Sequence, residues 1–176
     1  MRNSSASTTL AALVILGLIG IVVVGCSSPG GTATGQKANI GQTVTVDEMR
    51  FTVDGAAKTK EVGPASNLFK VKEGDFVVVD LTVKNDADAA DSFDGDMVKL
   101  YDENDTLYEM NLEASAAACR AAGKDYENVW FGSLEPGATA KTKAVFEIPA
   151  DVKGLRCELR SPSIGSENMA VVSLGI

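Results

Sequence analysis

The sequence contains no histidine. That absence removes Ser-His-Asp and Cys-His chemistry, HExxH metalloprotease sites and imidazole zinc ligation together. Cysteine is scarce as well, with only Cys26, Cys119 and Cys157, and zinc ligation by cysteine fails once Cys26 takes the role argued below. No G-x-S-x-G elbow occurs, and Gly30 to Lys37 (GGTATGQK) lacks the Gly-Lys adjacency of a phosphate loop. An enzyme built on this chain would work with carboxylates, lysine or tyrosine alone. Basic residues are outnumbered, 16 Lys and Arg against 24 Asp and Glu, a formal charge of −8. Such a surface repels nucleic acid and anionic headgroups, so no nucleic-acid partner is expected, and no cofactor.

What is present begins with an uncharged apolar run. After Met1 and Arg2, Leu10 to Val24 (LAALVILGLIGIVVV) carries no charge, the pattern of a secretory signal. The run falls short of the roughly 20 residues of a spanning helix, and no basic stop-transfer cluster follows it. It ends in Val23-Val24-Gly25-Cys26, which resembles a bacterial lipobox. In that class of signal, cleavage leaves an acylated cysteine as the first residue. Residues 1–25 are therefore expected to be a lipoprotein signal peptide and Cys26 the lipidation site. Two or more acyl chains hold a protein stably to a membrane, at about 0.8 kcal/mol per buried CH₂. The alternative is an ordinary signal peptide that happens to end at a cysteine. Removing the signal takes away Arg2 and no acid, so −8 becomes −9, and the lipid rather than a basic patch must hold the membrane.

Residues 26–39 are rich in Ser, Gly, Thr and Ala without apolar periodicity, as expected of a flexible linker. From Ile40 the texture becomes short β-branched runs bounded by Gly, Asp or Asn, and a β-sandwich over residues 40–176 is predicted. In DFVVVDLTVKN, Val77, Val79, Leu81 and Val83 share one face, while Asp80, Thr82 and Lys84 share the other with Phe76 and Val78. In AKTKAVFEI, Ala144, Phe146 and Ile148 face one way and Lys141, Lys143 and Glu147 the other, after a Pro136-Gly137 turn. Further strands are expected at Met97 to Tyr101, Thr106 to Met110, Leu155 to Arg160 and Met169 to Leu174, with Asp102 to Asp105 as a tight hairpin connection. Glu113 to Gly123 (EASAAACRAAG) is the exception, an alanine run closed by glycine that predicts one short helix.

Cys119 lies on that helix and Cys157 on a strand, in a compartment that permits disulfides. A bridge between them is expected, closing a loop of roughly forty residues for about 4 kcal/mol in the chain-entropy treatment. The alternative is two independent small buried side chains. The acids Asp86, Asp88, Asp91, Asp94 and Asp96, with Gly95, invite calcium, yet lack the spacing of a known calcium loop, and a solvated loop is the favoured reading. Trp130-Phe131 offers either a ligand contact or core, with core favoured for the single tryptophan. Asp102 with Asp105 or Glu109 are the carboxylate pairs a hydrolase would use, in a hairpin that ordinarily carries surface charge.

The order and spacing of GQTVTVDEMRFTV, FVVVDLTVKN, KLYDENDTLYE, LEPGATAKTKAVFEIP and GLRCEL resemble a family of bacterial surface lipoproteins classed as a domain of unknown function. That family is related to a mycobacterial immunoprotective extracellular antigen. The resemblance implies an all-β, immunoglobulin-like antiparallel sandwich with an extracytoplasmic location, and carries over no catalytic residue. The alanine run and the two later cysteines depart from the family pattern.

The expected function is a lipid-anchored binding module on the extracytoplasmic face of the cell membrane, engaging an envelope protein through its loops or open sheet edges. A small-ligand or metal-binding lipoprotein serving a transporter is the alternative, although such proteins use two lobes and this chain is short for that. No enzyme activity is expected. A folding or inhibitory factor is indistinguishable from the first reading by sequence.

Overall fold

The computed structural model describes residues 35–124, 127–160 and 166–176. The signal peptide, Cys26 and the linker before residue 35 lie outside the described residues. Along the chain the first strands are β1 (Gln36–Asn39), β2 (Thr43–Val46), β3 (Met49–Thr59), β4 (Glu61–Val62), β5 (Phe69–Lys70), β6 (Asp75–Asn85), β7 (Asp91–Ser92), β8 (Val98–Tyr101) and β9 (Leu107–Tyr108). Helix α1 (Leu112–Ala121) and a single helical turn, α2 (Glu127–Trp130), follow. The chain ends in β10 (Ser133–Leu134), β11 (Thr139–Ile148), β12 (Arg156–Arg160) and β13 (Met169–Ser173).

Two sheets face each other, one in the order β1-β13-β12-β8-β9 and one in the order β11-β6-β3-β2, with two small ladders, β10-β7 and β4-β5, at their margins. This is the expected sandwich, with three departures. The pairing of β1 with β13 is parallel, so the sandwich is not wholly antiparallel. Strand β1 begins at Gln36, inside the stretch read as linker: its QKAN sequence has no apolar alternation because it is an edge strand with one residue, Ala38, turned toward the core. The α2 turn adds a second helical piece to the one expected.

The period-two reading of β6 and β11 holds in detail. Val77, Val79, Leu81 and Val83 of β6 and Ala144, Phe146 and Ile148 of β11 are all buried in the space between the sheets. Burying each large aliphatic side chain contributes about 1.5–3 kcal/mol relative to leaving it exposed. Outside the four-stranded sheet, Phe76 and Val145 form a second cluster with Val62, Ala114 and Ala118, covered by α1. That is why β6 has apolar residues on both faces at its start and polar ones toward its end.

Helix α1 begins at Asn111, whose Oδ1 accepts the N–H of Ala114 at 2.9 Å, a standard cap. It then runs along the outer margin of β11, the outermost strand of its sheet. Ser115 Oγ accepts the N–H of Val145 at 2.8 Å and donates to Asn111 O at 2.7 Å. Four residues on, Cys119 Sγ accepts the N–H of Lys143 at 3.2 Å and reaches Lys143 O at 3.6 Å and Thr142 Oγ1 at 3.4 Å. Four helix residues rise about 6 Å and two strand residues about 6.8 Å, so the two spacings match. The N–H of Asn111 bonds Val145 O at 2.8 Å, and Met110 bridges Phe146. Across the sandwich, Gln36 of β1 performs the same service for β2, its Oε1 accepting the N–H of Thr45 at 3.1 Å.

This geometry overturns the expected disulfide. Cys119 and Cys157 are both free and fully buried. Cys119 is engaged with the outer margin of β11 in one sheet. Cys157 sits in the middle of the other, paired with Leu100 and Val172. Burial and, to a lesser degree, Glu158 push the Cys157 thiol up to about 12.

Candidate functional site

With contacts on both margins of the four-stranded sheet, the surfaces left for contact are the sheet faces, the loops and the outer strands of the other sheet, β1 and β9. One loop cluster combines exposed apolar side chains with charge. Leaving β7, the chain buries Phe93 and makes a 3-10 turn, Gly95–Met97, capped by Asp94, whose Oδ1 accepts the N–H of Asp96 at 2.9 Å. From β9 it crosses between the sheets through Glu109 and Met110 and enters α1 at Leu112. The α2 turn brings Trp130 and Phe131 alongside. Together these segments line a concavity of about 400 Å³.

Its wall is anchored in the core. The Trp130 ring packs on Phe93 with centroids 4.8 Å apart, and Phe93 packs on Phe51 of β3 at 5.7 Å, tilted contacts of a kind that adds about 0.5–1.5 kcal/mol beyond burial. The tandem aromatics thus divide their roles: Trp130 is core at 1% exposure, as favoured by sequence, and Phe131 is 68% exposed. Leu112 is 46% exposed at the same site, and Met110 forms the floor. Gly95 lies against that floor: a Cβ there would come 2.6 Å from Met110 Cε, the flexible end of that side chain.

The rim consists of Asp94, Asp96 and Glu109. Among the described residues none of the three belongs to an ion pair, whereas Asp75, Asp80, Asp86, Asp105 and Glu158 each have a lysine or arginine partner. The acidic run, weighed for calcium with a solvated loop favoured, has several of its members in separate tasks. Asp86 holds Arg50 and Lys84, Asp91 receives the Ser92 N–H, and Asp94 caps its turn. Among the described residues no three acidic or cysteine side chains converge in a way that could hold a metal ion.

The carboxylates considered for hydrolysis are occupied in architecture. Asp102 is buried at the β8-β9 hairpin, where Oδ1 accepts the N–H groups of Asn104 (2.8 Å) and Thr106 (2.9 Å) and Oδ2 the Tyr108 hydroxyl (3.1 Å). Burial works against its charge, but those donors outweigh it and hold the carboxyl below its usual value. Asp105, at positive φ, pairs with Arg156 of β12. Glu109 stands apart on the groove rim. The groove as a unit was not visible in sequence: Trp130-Phe131 and the rim acids were singled out, but apart from one another, Asp94 and Asp96 for calcium and Glu109 for a carboxylate pair with Asp102.

Several solved structures share the fold. A conserved hypothetical protein from Bacillus anthracis superposes with a TM-score of 0.58 at 20% identity, covering 68% of this chain and 87% of that one. The secreted protein MPT63 of Mycobacterium tuberculosis gives 0.56 at 12% identity, covering 81% and 99%. A candidate lipoprotein of Bacillus subtilis, ycdA, gives 0.54 at 12% identity, covering 76% of this chain and 38% of that one. No curated protein sequence matches the chain. The family described as "Domain of unknown function (DUF4352)" matches over residues 38–170, from the first strand into the last, and the chain belongs to that family.

Proposed function

We propose that the protein is a lipid-anchored, extracytoplasmic immunoglobulin-like module that binds another protein at the bacterial envelope through the groove of Met110, Leu112 and Phe131. The observation that carries this reading is the exposure of Phe131 and Leu112 at one concavity whose wall is stacked into the core. Exposed aromatic anchors on a rigid support are the usual centres of protein interfaces. The location rests on the lipobox at Cys26, with a secreted protein and a candidate lipoprotein among the structures of the same fold in its support. No catalytic step is assigned, because Asp102 and Asp105 are committed to the hairpin.

Two measurements test it. Cys26→Ser should release the protein from the membrane fraction and abolish the acyl mass on its N-terminal peptide. If the variant stays membrane-bound, the anchor is wrong. A photoreactive residue at position 131, activated in living cells, should trap one protein partner that the same residue at Thr82, on the far part of the β6 face, does not. An identical yield from both positions would rule out the groove.

A further inference from the structure

The groove's rim specifies the chemistry of what it takes. Resting on the binding-module reading of the same site, we infer that its occupant is a polypeptide segment presenting an arginine next to an apolar side chain. Three arguments define the occupant: the first its charge, the second the arginine, the third the apolar neighbour. Asp94, Asp96 and Glu109 place negative charge around one apolar floor, and none is neutralised by a basic side chain among the described residues. Like-charged partners, and anionic lipid with them, are repelled from such a rim.

The second argument is the exposed Phe131 ring beside those acids. A guanidinium lies flat on an aromatic face while its edge donates to carboxylates in a fixed planar fork, which favours it over an ammonium, a more strongly hydrated point charge. The third is the floor itself. Met110 and Leu112 offer apolar contact next to the charge, and Met is adaptable in shape, so the residue adjacent to the arginine is apolar. A bare inorganic cation satisfies none of the apolar surface, and the rim acids do not converge into a metal site.

The single tryptophan reports on the site directly, since Trp130 lines the groove and is the sole source of indole emission. Three short peptides identical except for arginine, glutamine or glutamate beside fixed leucine and phenylalanine residues are titrated against the protein while that emission is followed. The arginine peptide is expected to bind about tenfold or more tightly than the glutamine peptide at low salt, the glutamate peptide weakest, with the gap closing as salt screens the rim. The surface triple variant Asp94→Asn, Asp96→Asn, Glu109→Gln should erase the arginine-over-glutamine preference. Phe131→Ser should weaken every peptide.

If the glutamine peptide binds as tightly as the arginine peptide and still depends on Phe131, the groove remains a binding site and the arginine inference is overturned. If no peptide shows Phe131-dependent binding, both the inference and the groove reading fall. Preference for arginine that survives the triple variant also overturns the inference, since the rim would not be its source.

Discussion

Ser115 Oγ stands 2.8 Å from the backbone nitrogen of Val145 and accepts its hydrogen bond, so a helix side chain completes a strand that has no partner strand on that side, only the bridge at Met110. The N–H it satisfies is buried, and a buried donor left without a partner costs about 1–3 kcal/mol. Ser115→Ala is therefore expected to lower the unfolding free energy by that amount in urea titration. Amide exchange at Val145 should accelerate more than at Val77, which pairs inside the sheet. Equal acceleration at both amides would show that the serine does not protect the margin.

The two sandwich cysteines should behave as thiols. Cys157, with its pKa raised to about 12 by burial and by Glu158, is almost entirely protonated at neutral pH, and the thiolate is the reactive form. Alkylating reagents should leave Cys119 and Cys157 unmodified in the folded protein and label both once guanidinium unfolds it. Reductant should not change the thermal midpoint. A midpoint that falls on reduction would restore the cross-link.

Asp80 sits between Lys124 and Lys143, each at 2.6 Å. Burial raises its pKa, and the hydrogen bonds and charges of the two ammonium groups outweigh that, leaving it below the ordinary 3.8. A group depressed in the folded state stabilises fully above its unfolded value, about 3.9, and loses that contribution as pH falls through the folded one. Stability should thus decline on the acid side below about pH 4, and Asp80→Asn should lower stability at neutral pH while flattening that decline. An acid limb of unchanged steepness in the variant would remove Asp80 as a cause.

Asn85, fully buried at the end of β6, donates through Nδ2 to Ala89 O and Leu134 O and accepts the Ala87 N–H at Oδ1, all at 2.8 Å. Asn85→Ala should cost about 3 kcal/mol from three lost bonds and a small void. Asn85→Asp keeps the shape but turns an acceptor toward two carbonyls, and should be no milder. If chemical denaturation finds the aspartate variant close to wild type, the hydrogen-bond assignment is wrong.

Gly74 adopts φ +81°, and a Cβ there would lie 2.0 Å from Ile148 O, a backbone atom with no freedom to retreat. Gly74→Ala is expected to destabilise by about 3 kcal/mol. Gly137, with similar φ but open space around it, is the control, and its alanine variant should cost less.

The sandwich was legible because its core strands are long and alternate cleanly: β6 and β11 declare both faces residue by residue. Strand β1 was not, since an edge strand with one inward residue leaves almost no periodic trace in QKAN. The alanine run announced α1, but not that Ser115 and Cys119 fall on the side facing β11; a serine and a cysteine four apart read equally well as incidental small residues. Pairing Cys119 with Cys157 followed from compartment and count, and failed because Cys119, on α1, is turned to the margin of β11 in one sheet while Cys157 lies in the middle of the other. The groove was least visible. Asp94, Phe131 and the pair Glu109 and Leu112 come from three separate segments, and their neighbourhood is created by the crossing at Met110, which has no local signature.

The closed margins also bear on how many copies a surface can hold. Sheet proteins concentrated in two dimensions tend to polymerise by extending one another's ladders, since each exposed strand templates the next. Here Ser115 and Cys119 on one flank and Gln36 on the other already occupy the groups such growth would require. Copies of this chain are therefore hindered from zipping through the four-stranded sheet, and such growth is left to β1 and β9, the outer strands of the other. The excess of acid on each copy keeps neighbouring copies mutually repelled, so their spacing responds to ionic strength.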